Sequence, residues 1–546
     1  MRRRSKLIVS GAVLKEMKSK KWLHLILAAT MLFSACTLFG CEKKQVDSSV
    51  DVDEEKLNII DDNYRNWYEV FVRSYYDSNN DGIGDLKGLE QKLDYISEMG
   101  FNGIWLMPVC QSQTYHKYDV VDYYTIDKEY GTNEDFKSMI KAAHEKGINV
   151  IVDLVLNHSS SSNEWFRKAT TALKNGETSG ENAKYIEYYN FSQTAQSGYK
   201  PVPNTSYYYE CRFSDNMPDL NLDSTQVRDE IENIVEFWLN DMDVDGFRLD
   251  ACTSFYTGNV KKNVEFLSFI NDTVDSIKED AYIVGEVWEG TDAQIRAYYE
   301  SGIDSCFTFT TSQGDGKIRS TFSSLRSKPG DYYVDMLLDY QKVYDVGSMA
   351  PFLCNHDTAR AGKFLVGDTV KMAAGLLSMM NGNVFVYYGD EIGMTNANDE
   401  IDPTKRIAMY WQDGVYHGWT YMPPEGIKVD KNSYIYPSVA DQQADAGSIL
   451  NYYKQAMKIR NKHPEIARGV VEKLTSSDGY IAAMKKTYEG KSVVIILNLS
   501  DYEEKTVDVS VYGENLKLCD TLNVYGQSAI NGSTLTMQPY SIAVLR

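Results

Sequence analysis

The stretch Asp245-Gly246-Phe247-Arg248-Leu249-Asp250-Ala251 decides how this chain is read. It follows an amphipathic helical stripe, Val227, Ile231, Ile234, Val235 and Trp238, and reads as a short buried strand. Side chains alternate along a strand, so Arg248 and Asp250 share one face. A carboxylate beside a fixed guanidinium stays ionised, which suits a nucleophile. Taken alone, the pair reads equally as a structural ion pair at a strand end.

Working outward, strand-like runs at 67–72, 103–108, 149–155, 246–250, 283–287, 306–309, 350–354 and 384–388 alternate with helical patterns. Leu86, Leu89, Leu93 and Ile96 keep helical spacing before Gly100, and Phe136, Met139, Ile140 and Ala143 do so before Gly147. Eight such units predict an α/β fold, a (β/α)8 TIM barrel, with the functional site at the C-terminal ends of the strands. The barrel is expected over 63–158 and 224–463. The connection between them, 159–223, is anomalously long, rich in Tyr, Asn and Ser, and lacks a clean helix–loop pattern; it reads as an inserted domain B after strand 3. From about residue 464 short strands take over, predicting a C-terminal all-β sandwich domain over 464–546.

The chain of 546 residues, 43% hydrophobic and 24% charged, is of ordinary globular composition, one large domain with attachments. A net charge of −21 argues against nucleic acid or an anionic membrane surface as a partner. A neutral ligand fits better, and 40 Tyr and 8 Trp supply rings able to stack on sugars, although such rings also serve as core. Lys18, Lys20 and Lys21 precede an apolar run that ends at Cys36 and Cys41, which predicts a lipoprotein-type signal peptide over 1–41. Cys41 is the preferred lipid-anchor site and Cys36 the alternative; an uncleaved membrane anchor is the competing reading. Residues 42–62 read as a disordered tether, so the body is expected outside the cell, tethered to a bacterial membrane. The cysteines at 110, 211, 252, 306, 354 and 519 show no metal or disulfide spacing and are expected mostly free and buried.

Acids and histidines gather where strands stop: Asp153 to His158 after the third, Arg248 and Asp250 at the fourth, Glu286 at the fifth, His356 and Asp357 at the seventh. Neighbouring strands lie about 4.8 Å apart. Asp250 and Glu286 can therefore approach the roughly 5–5.5 Å between nucleophile and acid/base of a retaining glycosidase. Glu286, between Gly285 and Trp288 in an apolar setting, is expected to stay protonated as an acid. Asp357 adds a third carboxylate, and His158 and His356 offer donors to sugar hydroxyls; a lone His is otherwise a satisfied core residue.

This set resembles the α-amylase family, glycoside hydrolase family 13, in the segments 153–158, 246–251, 286–288 and 352–357, and in Met217-Pro218-Asp219-Leu220-Asn221 of the insertion. The resemblance implies a retaining α-glycosidase with Asp250 as nucleophile, Glu286 as acid/base and Asp357 as the transition-state-stabilising carboxylate. It also implies that Arg248, His158, His356, His116 and Tyr118 surround the sugar at the cleavage site. The implied partner is an α-glucan: starch, glycogen or maltooligosaccharides. Ala251 after the nucleophile and Met217 in the insertion motif, which is like that of a group between oligo-1,6-glucosidases and neopullulanases, point toward α-1,4 bonds. Thr253 and Ser254 depart from the Lys and His of many amylases on the leaving-group side. A 4-α-glucanotransferase or oligo-α-glucosidase is the near alternative, and a non-catalytic, transporter-associated sugar-binding lipoprotein the alternative of another class.

Asp77-Ser78-Asn79-Asn80-Asp81-Gly82-Ile83-Gly84-Asp85 places oxygens at alternate positions as in the first nine positions of an EF-hand loop, while Gly88 stands where the final Glu would be. By the same resemblance it is expected to hold a structural Ca2+ through Asp77, Asn79, Asp81, the Ile83 carbonyl and Asp85. A solvated acidic turn is the alternative.

Overall fold

The computed structural model describes residues 64–289, 291–427 and 431–546. The expected signal peptide, both candidate lipidation cysteines and the whole of the tether lie outside them. Among the described residues no helix is long and apolar enough to cross a membrane.

Eight parallel strands form the barrel: β1 (Asn66–Val70), β2 (Gly103–Leu106), β3 (Asn149–Leu154), β4 (Gly246–Leu249), β5 (Tyr282–Gly285), β6 (Ser305–Phe307), β7 (Met349–Ala350) and β8 (Val384–Tyr387). β8 pairs with β1, so the sheet wraps round on itself. The remaining seam is thin. Among the described residues a Phe352–Phe385 bridge and the bonds from Asn383 N to Met349 O and Phe385 N to Pro351 O join β7 to β8. The predicted seventh strand, 350–354, is thus shorter and earlier, because its end turns inward to present Asn355, His356 and Asp357.

Inward-facing side chains fill the barrel in layers. Trp67, Trp105, Ile151, Tyr282, Val284, Phe307, Ala350 and Phe385 make an apolar plug, with Trp67 stacked between Tyr282 (5.1 Å) and Phe385 (5.8 Å). One layer higher the inward positions turn polar, with Glu69, Asp153 and Arg248 all buried. At the start of β4, Gly246 has φ +140°, and a Cβ there would lie 2.0 Å from the Tyr282 carbonyl oxygen. Only glycine lets β4 approach β5 so closely. Asp245, just before it, accepts from the Val150 amide (2.7 Å) and pairs with His144 (2.7 Å), which pins the opposite end of the strand.

The long insertion contains more regular structure than its composition suggested. A helix at Glu164–Asn175, capped by Asn163, precedes a three-stranded sheet of Phe191–Ser192, Tyr208–Glu210 and Tyr199–Pro201. Its buried residues, Phe166, Ala169 and Ala172, keep helical spacing, so the stretch carries a helical pattern that the expectation of none did not allow for. The 217–221 segment returns along the end of β3: Leu220 N donates to Asn157 O (3.0 Å) and Ser159 N to Pro218 O (3.1 Å).

The C-terminal region packs a five-stranded antiparallel sheet against a three-stranded one. In the strand Ile481–Tyr488, Ile481 and Ala483 face the smaller sheet, while Ala482 and Met484 join the core of the barrel side. Lys486 follows that second register. Its buried ammonium donates to Met379 O, Asn381 Oδ1 and Ile466 O, which ties this region to the segment entering β8. Cys110, Cys211, Cys252, Cys306 and Cys354 are free and buried, as expected, and Cys519 is free and half-buried.

Candidate active site

The register sets the geometry. Asp153 on β3 lies beside Arg248 on β4, and Leu249 beside Gly285 on β5, so Asp250 and Glu286 fall next to each other one step beyond the paired strands. The fully buried Arg248 guanidinium contacts three carboxylates. Its Nη1 lies 2.7 Å from both Asp153 Oδ1 and Asp250 Oδ1, and its Nη2 2.9 Å from Glu286 Oε1, an ion pair without hydrogen-bond alignment. The cation also sits 5.3 Å from the Trp105 ring centroid.

Ala251, two residues beyond β4, turns the chain at φ +52° and donates its amide to Glu286 Oε2 (2.8 Å). A β-branched side chain would be strained at that φ, so the small residue suits the turn. Burial pushes the Glu286 carboxyl above its ordinary range, opposed by Arg248 and reinforced by the charges of Asp250 and Asp357. That direction is the one expected from its apolar setting; Trp288 itself stacks on Phe309 (4.6 Å) and is half exposed.

Asp357 is gripped from two sides, by Arg406 Nη2 at 2.6 Å and His356 Nε2 at 2.9 Å. Against the upward push of burial, these two cations hold its carboxyl well below the usual range. His356 Nδ1 lies 2.6 Å from Glu69 Oε1; burial alone would lower this imidazole, but Asp357 and Glu69 raise it to about 9. Tyr118 OH contacts His356 Nε2 (2.7 Å) and donates to Asp153 (3.0 Å). His116 accepts the Tyr118 amide at Nδ1 (3.1 Å), which leaves its Nε2–H for a ligand; burial lowers it to about 4. His158 differs from expectation, because its Nε2 points at the Tyr118 carbonyl oxygen (3.2 Å) rather than being free for a sugar.

A cavity of about 410 Å³ opens on these groups. It is lined by His116, Tyr118, His158, Asp250, Glu286 and Asp357, with Phe213, Met217, Trp288, Thr253 and Ser254 also on its walls. The structure thus brings together all eight expected residues, six on the cavity wall and Arg248 and His356 buried behind it. A carboxylate held by a guanidinium beside one that burial raises, facing a pocket with a third carboxylate held anionic, is equipped for double displacement at an acetal carbon.

Residues 69–469 match the family described as "Alpha amylase, catalytic domain". The chain belongs to the α-amylase family. It is therefore a glycoside hydrolase by family. It is 34% identical to "Alpha-amylase 3" of Dictyoglomus thermophilum, over 88% of this chain and 93% of the relative. "Oligo-1,6-glucosidase" of Heyndrickxia coagulans is 28% identical over 87% and 97%. Among solved structures, "Eubacterium rectale Amy13B" superposes with a TM-score of 0.83 at 41% identity, covering 89% of this chain and 96% of that one. The α-amylase from H.orenii gives 0.74 at 30%, covering 88% and 99%.

Glu69, Asp153 and Arg406, with Asp402 on the pocket wall 3.6 Å from Arg406, complete this α-amylase-family site and were given no role from sequence. Glu69 left a signal, as the one acid in the apolar run from Trp67 to Val72. Arg406 left none, since it stands in a loop 49 residues beyond Asp357.

The Asp77–Asp85 loop lies after β1. Asp77 accepts from the amides of Asn79, Asn80 and Gly82, and Asp85 from Ser78 and Gly88. Gly82 turns at φ +92°, with Met422 Cγ 2.6 Å from where a Cβ would stand. Among the described residues no group of three or more His, Cys, Asp or Glu converges as a metal cage. The donor chemistry nevertheless fits a hard cation. All candidate ligands are oxygens, and the Asp77 and Asp85 carboxylates are buried without an ion-pair partner among the described residues.

Proposed function

We propose that this chain is an extracellular, membrane-tethered retaining α-glycosidase that hydrolyses α-1,4-glucosidic bonds in starch, glycogen or maltooligosaccharides. The observation that carries the proposal is one guanidinium, Arg248, contacting the Asp250 and Glu286 carboxylates from neighbouring strand ends at the floor of a pocket that Asp357 also faces. Asp250 attacks the anomeric carbon while Glu286 protonates the departing oxygen. Glu286, now a carboxylate, takes a proton from water, which attacks the glycosyl–Asp250 ester and restores both groups. Asp357, held anionic, faces the oxocarbenium charge that builds in each transition state. The names of the amylase and glucosidase relatives support an α-glucan, and Ala251 and Met217 support α-1,4 over α-1,6 bonds.

The timed product profile on soluble starch, pullulan and isomaltose tests this reading. Starch should be degraded and isomaltose left nearly intact, and the reverse would overturn the α-1,4 assignment. On maltotriose, glucose and maltose should accumulate without longer sugars. Maltotetraose or maltopentaose would instead assign transfer of the glycosyl group to a second sugar, the glucanotransferase alternative.

The pH profile follows from the same groups. Because Glu286 is raised above its ordinary 4.5, its acid form persists to higher pH. Activity should therefore hold well above pH 4.5 and fall on the alkaline side as Glu286 ionises. An alkaline limb at or below that ordinary value would contradict the assignment.

The loop at 77–85 is proposed to bind Ca2+ through Asp77, Asn79, Asp81, Asp85 and the Ile83 carbonyl, a structural cation remote from the cleaved bond. Bound there, the cation would neutralise two buried carboxylates and brace the loop against Met422. Calcium at about a hundred times its Kd should stabilise the folded chain by about 2.7 kcal/mol. Identical melting in EDTA and in calcium would reject the site.

A further inference from the structure

We propose that Glu69 is a positioning residue for the reaction: through His356 it fixes the charge and the orientation of Asp357 and Tyr118 around the sugar being cleaved. The inference rests on the α-glycosidic reading of the site.

Glu69 projects from β1 into the polar layer above the apolar plug, almost completely buried. Its ion-pair partner among the described residues is His356, from the end of β7 across the closure of the barrel, and Oε1 also faces the His356 amide at 3.4 Å. A buried carboxylate without a cation is costly, so the ring must present N–H to it. The opposite nitrogen of the same ring meets Asp357 Oδ2. A neutral imidazole has one N–H and would turn a lone pair on one of the two acids. An imidazolium flanked by Glu69 and Asp357 satisfies both.

The surroundings enforce this. β2 contributes the Trp105 ring, edge-on at 5.6 Å, and Tyr118 stacks on the imidazole at 5.7 Å. Asp153 on β3 and Arg248 on β4 reach it through Tyr118 OH, Tyr387 on β8 lies beside Glu69 in register, and Arg406 Nε donates to the His356 carbonyl oxygen (3.1 Å). With Arg406 on Oδ1 and His356 on Oδ2, Asp357 has both oxygens oriented before substrate arrives. The chain Glu69, His356, Asp357 therefore carries its minus, plus, minus pattern as a unit.

Glu69→Gln tests it, because a glutamine oxygen can still accept from Nδ1 while the charge is removed. Nitrogen-15 NMR of labelled histidine is feasible with 7 histidines in the chain, the resonance of interest being the one lost in His356→Asn. In the wild-type protein both ring nitrogens should be protonated at about pH 8, and in Glu69→Gln the ring should be neutral there, a shift of about one pH unit or more. In the same variant kcat should fall about 10- to 100-fold while KM changes less. Glu69→Asp, which keeps the charge, should recover part of both. A wild-type ring neutral at that pH, or a Glu69→Gln protein that keeps the imidazolium and the wild-type kcat, overturns the proposal. The ring measurement needs no substrate, so it tests the pairing of Glu69 with His356 even if the wild-type protein leaves α-glucans uncut.

Discussion

Glu286→Gln is expected to lower kcat/KM on maltotetraose about 10²- to 10⁴-fold, the range for loss of a general acid. Asp250→Ala should cost more, on the order of 10⁴-fold or greater, because the covalent route is gone. The two losses can be told apart by the leaving group. α-Glucosyl fluoride departs without protonation, so Glu286→Gln should still form the glycosyl-enzyme from it and stall at hydrolysis, giving a burst of fluoride. Asp250→Ala should give no burst. If Glu286→Gln released no burst, or if Asp250→Ala hydrolysed maltotetraose at the wild-type rate, the roles assigned to the two strand ends would be wrong. Neither substitution should unfold the protein, since Gln keeps the shape of Glu286 and removing Asp250 relieves a crowd of acids around one cation.

Arg248→Met should have the larger effect on stability. Three carboxylates, Asp153, Asp250 and Glu286, touch this one guanidinium, and its side chain is fully enclosed. Taking away one partner of a buried ion pair costs about 3–5 kcal/mol, because the charges left behind have no solvent. Urea midpoints should therefore fall markedly at pH 7 and partly recover in acid, where the orphaned carboxyls take up protons. Burial already pushes Asp153 up to about 7 and raises Glu286 with Arg248 present, and without that cation both should protonate more easily still. Arg248→Lys should not rescue, because a point-like ammonium cannot span three acids as the planar fork does. An unchanged midpoint in Arg248→Met would show that the hub contributes nothing to folding.

How far the sequence could be read depended on the range of the interaction. The barrel strands announced themselves as short apolar runs between helical stripes, and Arg248 and Asp250 shared a face by alternation alone, which the 2.7 Å contact bears out. Glu286 was readable as a neighbour because β5 follows β4 in chain and in space. His158 was readable as a pocket residue but not as one whose Nε2 is occupied by the Tyr118 carbonyl, since a backbone acceptor leaves no mark in side-chain patterns. The helix in the insertion is amphipathic, with Phe166, Ala169 and Ala172 on its buried face, and the Tyr-, Asn- and Ser-rich composition around it masked that stripe.

The sequence by itself determined the architecture and which strand ends bear acids, since periodicity and alternation are local properties of the chain. Tertiary structure alone decided what those acids do to one another. Barrel closure sets β1 against β8, so Glu69 meets His356 across 287 residues, and Arg406 swings back onto Asp357 from a loop without any repeating pattern. Charges become fixed only where burial removes water and a particular partner replaces it, and which partner arrives is settled by closure of the sheet.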